Sequence, residues 1–183
     1  MSNQQKKRRP SRKKEDADAD FFDLLRQGTQ ALHQGQVGTA VELLELAHQL
    51  EPANGDVTLN LGGAYILSKK FKQAVALLEP LSQREADNPM VWTNLGAAYL
   101  GNPVTATAER QRQAIAAFEQ AIEIDPKTPN VAYNIGLIYR DRKEIEQALH
   151  WFRRALAANP NDKHAANFIE QLSKPPEEGS EST

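Results

Sequence analysis

Apolar residues in this chain recur with a helical period, and the whole pattern then recurs. Ala40, Leu44 and Ala47 are spaced by four and then three. The same spacing returns in Ala74, Leu78 and Leu81, in Ala114, Phe118 and Ala121, and in Ala148, Phe152 and Ala155. Positions i, i+4 and i+7 share one helix face, so each set predicts a helix with a buried stripe. Pro52, Pro126 and Pro160 each stand five residues after a stripe, where the fixed φ and missing N–H of proline end a helix. Ala86 holds that place in the second set. A second pattern precedes the last three stripes: Leu61-Gly62-x-x-Tyr65, Leu95-Gly96-x-x-Tyr99 and Ile135-Gly136-x-x-Tyr139. The first two copies lie 34 residues apart and the last two 40 apart, the same period plus an insertion of six. A fixed period of this length predicts stacked repeats, an architecture that binds other molecules more often than it transforms them.

Eight helices in four antiparallel pairs follow, with short turns inside the pairs at Gly35-Gln36 and Lys69-Lys70. The glycine of each Leu/Ile-Gly pair lets two helices approach where a side chain would clash. This outweighs a helix-propensity cost of about 0.5–1 kcal/mol. Asp20 reads as the first N-cap, with Asp23 adding favourable charge to that turn. Pro80 falls inside the second helix of the second repeat and is expected to kink or split it. Gly101, Asn102 and Pro103 mark a turn in the insertion, and Thr105 to Arg110 are expected to lengthen the next helix. Lys163 to Leu172 predict a ninth helix with Ala166, Ile169 and Leu172 on its apolar face, capping the last repeat.

With these residues in register, the chain resembles the tetratricopeptide repeat (TPR) family from about Phe21 to Asp162. The first repeat departs from the pattern, with Gln27-Gly28 for Leu-Gly and Ala31 for Tyr, and only the third opens on the aromatic Trp92. The resemblance implies an all-α fold: a right-handed α-solenoid of four TPR helix pairs plus a C-terminal capping helix, between disordered tails. Its expected divisions are a disordered arm at 1–20, repeats at 21–54, 55–88, 89–128 (with the insertion) and 129–162, the cap at 163–173, and a loose acidic tail at 174–183.

Charge changes this picture at one end only. Lys6, Lys7, Arg8, Arg9, Arg12, Lys13 and Lys14 make residues 1–14 purely cationic, so the formal charge of −2 divides into +7 there and −9 beyond. Such a segment cannot bury enough apolar surface to order itself. It can contact phosphates or an acidic partner, although no aromatic residue interleaves it for base stacking. A solubilising tail accounts for it without any partner, and a third reading is an arm folded onto its own acidic body. The chain has no cysteine, which excludes disulfides, thiolate metal sites and a cysteine nucleophile. No apolar run reaches the length of a membrane span and no signal-peptide pattern is present, so a cytoplasmic location is expected, or a nuclear one in a eukaryote.

No catalytic or cofactor motif is found. His33, His48, His150 and His164 share no metal-binding spacing, and Leu61-Gly62-Gly63 sits inside a helix, where its amides cannot cradle phosphate. The resemblance instead points to a concave groove lined by the first helix of each pair. Asn60, Asn94 and Asn134 directly precede the Leu/Ile-Gly pairs, and the resemblance implies that they face this groove, where an amide grips peptide backbone without reading side chains. The remaining groove positions are Phe22, Leu25, Thr29 and Leu32, then Leu59, Gly63, Ile66 and Leu67. Met90, Thr93, Ala97 and Leu100, and Tyr133, Leu137 and Arg140, continue the set. Leu25, Thr29 and Met90 stand where some relatives carry a charged clamp for chaperone tails. The expected function is therefore a non-enzymatic adaptor that holds an apolar peptide or helix without a cofactor. The alternative is a nucleic-acid-associated factor that uses its basic arm, and self-association stays open.

Overall fold

The computed structural model describes residues 12–174. They form nine α-helices and one 3-10 turn, with no strand among the described residues. The helices are α1 (Arg12–His33), α2 (Val37–Leu50), α3 (Gly55–Leu67), α4 (Phe71–Arg84), α5 (Pro89–Leu100), α6 (Ala108–Ile124), α7 (Val131–Asp141), α8 (Ile145–Ala158) and α9 (Lys163–Ser173), with the 3-10 turn at Pro103–Thr105. The chain divides within α4 into two compact units, one ending at Leu77 and the other starting at Leu78. In the first, α2 packs on α1 and on α3. In the second, α5 packs on α6, α6 on α7, α7 on α8, and α8 on α9.

The repeated positions build these layers. Ala40, Leu44, Ala47 and Leu61 are buried in the first unit, and Leu78, Leu81, Leu95, Phe118, Ile135 and Phe152 in the second. The glycines allow close contact between paired helices. A Cβ on Gly96 would lie 2.6 Å from two ring carbons of Phe118, and one on Gly136 would lie 2.8 Å from Phe152. Helix ends repeat as well. The N–H groups of Glu51, Glu85, Asp125 and Asn159 each donate to the carbonyl that ends a stripe, at Ala47, Leu81, Ala121 and Ala155. Ala86, standing where proline was expected, leaves this closure unchanged, because Asn88 N–H still donates to the Glu85 carbonyl at 3.0 Å. Inside the pairs, Lys69 and Lys143 take positive φ (61° each). The N–H groups of Lys70 and Glu144 reach back to the Tyr65 and Tyr139 carbonyls, the double closure that a left-handed residue permits after a helix.

Four expectations are corrected. Helix α1 begins at Arg12, so residues 12–20 are helical and Asp20 is interior, not an N-cap. Arg, Lys, Glu and Ala are strong helix formers, and lengthening an existing helix adds a bond for each residue fixed. The arm at 1–11 and the tail at 175–183 lie outside the described residues. Helix α4 runs unbroken through Pro80, which is exposed while Leu78 and Leu81 on either side are fully buried. The α6 extension starts at Ala108, not Thr105, since the Thr107 hydroxyl accepts from Arg110 N–H as the N-cap; α6 is 17 residues long against 14 for α2, α4 and α8. The buried face of α9 carries Ala165, Phe168, Ile169 and Leu172, whereas Ala166 is exposed. Covering a phenylalanine ring removes more apolar surface from water than covering one methyl group.

Tyrosines tie the first helices to the helices before them. The Tyr65 hydroxyl donates to Glu45 Oε1 at 2.8 Å, and Tyr99 donates to Glu79 in the same way, each pair 20 residues apart in sequence. Lys70 stands 3.9 Å from the Glu45 carboxylate and 5.3 Å above the Tyr65 ring. Burial holds both hydroxyls up at about 12 from their ordinary 10.0, and the bonded carboxylates push the same way. Tyr139 is raised too, by burial first and then Glu119, with Arg142 opposing. The folded values exceed the unfolded one, so this contribution is whole below the unfolded value and is lost as pH rises from about 10 towards 12. Urea midpoints at pH 9 and pH 11.5 should therefore fall further for the native chain than for a Tyr65→Phe/Tyr99→Phe variant. Equal falls would remove these bonds from the alkaline limit of stability.

Candidate functional site

The residues expected to bind fall on two helices in each unit. In the first unit these residues lie on α1 and α3. Phe22 is 65% exposed and Leu67 59% exposed, while Leu25, Leu32, Leu59, Asn60 and Ile66 are half-buried. Gly63 is half-buried among them. Thr29 directs its hydroxyl back to the Leu25 carbonyl at 2.8 Å, so its donor is spent within α1.

In the second unit the expected residues lie on α5 and α7. Met90 is 47% exposed, and Ala97, Leu100 and Leu137 pack partly against the core. Thr93, like Thr29, donates to its own helix, at the Pro89 carbonyl. Asn94 and Asn134 are half-buried, and among the described residues their side-chain amides make no hydrogen bond, as is also true of Asn60. An unbonded, water-reachable amide repeated in register offers one acceptor and two donors per repeat.

The insertion stands beside α7. Pro103 and Val104 border a cavity of about 270 Å³ together with Asn134, Leu137 and Arg140 of α7 and Gln111 of α6. Val104 at its edge is 92% exposed. Two expected groove residues have further partners. Arg140 donates from Nε and Nη2 to Asp141 Oδ1 at 2.9 and 2.6 Å, and its guanidinium lies 4.7 Å over the Phe168 ring. Tyr133 lies against Phe152 and Phe168, with ring centroids 5.7 and 6.2 Å away. Phe168 was absent from the sequence reading. Its signal is the i, i+3, i+4, i+7 spacing of Ala165, Phe168, Ile169 and Leu172.

A larger cavity, of about 530 Å³, opens on the other side of α5, between α4 and α6. Sequence reasoning missed it as well, since the small pair Ala116-Ala117 that lines it becomes a gap only against residues of α4 and α5. Of the basic residues, Lys6, Lys7, Arg8 and Arg9 lie outside the described residues, while Arg12, Lys13 and Lys14 fall in the first turn of α1. Among the described residues no three His, Cys, Asp or Glu side chains converge as a metal site, and no helix is long and apolar enough to cross a membrane.

Paired helices in a 34-residue register, with Gly against aromatic and Tyr against Glu, define a helical-repeat protein. Two tetratricopeptide repeat profiles match residues 31–98 and 106–163, together more than half of the chain. The chain belongs to the tetratricopeptide repeat family. Among solved structures it is similar to MamA AMB-1, at 25% identity and a TM-score of 0.66, the match covering 85% of this chain and 81% of that one. It is also similar to TTC0263, a thermophilic TPR protein of Thermus thermophilus, at 20% identity and a TM-score of 0.71, covering 83% and 80%. The Cut9–Hcn1 assembly of APC/C matches at 22% identity and a TM-score of 0.73, over 84% of this chain but 30% of that one. These likenesses are of fold. A probable UDP-N-acetylglucosamine–peptide N-acetylglucosaminyltransferase, SPINDLY of Hordeum vulgare, is 33% identical over 58 residues. That stretch is 32% of this chain and only 6% of the relative.

Proposed function

We propose that this chain is a non-catalytic interaction module whose asparagine-bearing faces hold a peptide or helical segment of another protein. The observation that carries this reading is the unbonded amide of Asn94 and Asn134, repeated at one register position and found again at Asn60. Met90, Ala97 and Leu137 flank these amides with apolar surface, and Val104 extends it from the insertion. An extended segment on such a face gains backbone hydrogen bonds from the amides and apolar contact from its side chains. The relatives of like fold, and the family itself, support protein partners; the SPINDLY match covers too little of that enzyme to carry its activity here.

The test starts from a partner captured by the full chain and then titrated as a purified segment. Two lost hydrogen bonds at about 0.5–1.5 kcal/mol each predict roughly tenfold or greater weakening in the Asn94→Ala/Asn134→Ala variant. The helical melt should stay in place, because neither amide bonds within the fold. Binding unchanged to within about twofold, less than one such bond contributes, would refute the reading.

A further inference from the structure

The second helices of the four repeats keep one register. Glu42-Leu43, Ala76-Leu77, Ala116-Ala117 and His150-Trp151 occupy the same two positions. Three of these pairs put a large apolar side chain at the second position, and α6 puts only Ala117 there. In α8 that position is filled by Trp151, which is 7% exposed and belongs to the core formed with α6 and α7. Where α6 carries alanine, the 530 Å³ cavity opens instead. It is within the size range of sites that enclose a bulky side chain or small ligand.

The cavity is built before anything enters it. Its floor is Trp92, Leu95 and Tyr99 of α5, and its walls are Pro80 of α4 and Ala116 and Ala117 of α6. Both aromatic floor residues have their polar ends tied down: Trp92 Nε1 donates to the Ala86 carbonyl at 2.9 Å, and the Tyr99 hydroxyl donates to Glu79. The surface that lines the cavity is largely apolar. Glu79 is its one acid, and no lining residue is cationic.

We propose that this notch is a second docking site, which receives one aromatic side chain, with a neighbouring cation, from another protein. The shape argument is internal to the chain, since the next repeat fills the corresponding place with an indole and remains packed. The charge argument is Glu79, a carboxylate at the edge of an apolar cavity that has no cation of its own. Trp92, Leu95 and Tyr99 lie on the face of α5 opposite Met90, Asn94 and Ala97, by the helical period. The notch and the asparagine face can therefore be occupied together, and neither reading depends on the other.

The test follows the Ala116 and Ala117 methyl resonances of the full chain while acetylated, amidated dipeptides are added. Trp-Arg should give saturable shifts at both methyls. Trp-Glu should bind about threefold more weakly, as expected for loss of an exposed ion pair. Leu-Arg should bind about fivefold more weakly, since an aromatic contact exceeds its area alone. Ala117→Trp, which copies α8, should abolish the shifts at Ala116 while the melt stays cooperative. Ala117→Leu, which copies α2 and α4, should weaken binding and serves if the tryptophan variant does not fold. The Asn94→Ala/Asn134→Ala variant should bind Trp-Arg as the native chain does. The proposal is overturned if Trp-Arg gives no saturable shift, if Leu-Arg binds as tightly, or if binding survives filling of the notch.

Discussion

Phe118→Ala is expected to lower stability by about 3–5 kcal/mol and to reverse the effect of Gly96→Ala. Phe118 is fully buried and is among the largest side chains without exposure. A methyl group on Gly96 would meet its Cδ1 and Cε1 at 2.6 Å, and real contacts of this kind do not occur that close. Gly96→Ala alone must therefore displace a ring held in a packed core, at about 1–3 kcal/mol. That exceeds the roughly 0.5–1 kcal/mol gained by replacing a helical glycine. With the ring gone, the methyl enters vacant space and only the helix-propensity gain remains, so Gly96→Ala becomes stabilising in the Phe118→Ala background. A urea double-mutant cycle reads this directly. Additive effects, with no change of sign, would mean that the ring and the glycine are not coupled. The Gly136–Phe152 pair, with its corresponding 2.8 Å approach, should behave alike.

Phe168→Ala should cost about 3 kcal/mol, near the lower end for a phenylalanine truncation because the ring is only half-buried. Phe168 stacks on Phe152 with centroids 5.0 Å apart and planes 14° apart, and the Arg140 guanidinium lies over it at 4.7 Å. Both contacts are lost with the ring, and each exceeds what area alone would give. Phe168→Leu should lose about 1 kcal/mol, because apolar cover remains while the stacking goes. Denaturation midpoints of the two variants separate these contributions. If Phe168→Ala melts with the native chain, α9 does not cap the last repeat. The same variant frees Arg140, so it also tests whether that guanidinium's position depends on the cap.

The register of the repeats is legible because both of its signals are local. A helical stripe is set by residues one or two turns apart, and proline, glycine and Asn end or begin helices through their own backbones. Leu61-Gly62, Leu95-Gly96 and Ile135-Gly136 accordingly fall on buried helix faces. Asn94 and Asn134 repeat one register position and are each half-buried, but nothing near Arg140 or Tyr133 in sequence announces that both meet Phe168, which comes from α9 some 28 residues or more later. The insertion reads as a turn from Gly101, Asn102 and Pro103, yet its place beside Asn134 depends on how α5, α6 and α7 pack.

The sequence by itself determined the succession of paired helices and the repeat family, because these follow from periods and caps within a few turns of chain. Only the tertiary structure decided which face of α9 is buried, where the insertion stands, and that Ala117 leaves a notch over Trp92 and Tyr99. The reason is physical: a cavity is a missing side chain among residues from three helices, and no local pattern records what its distant neighbours fail to fill.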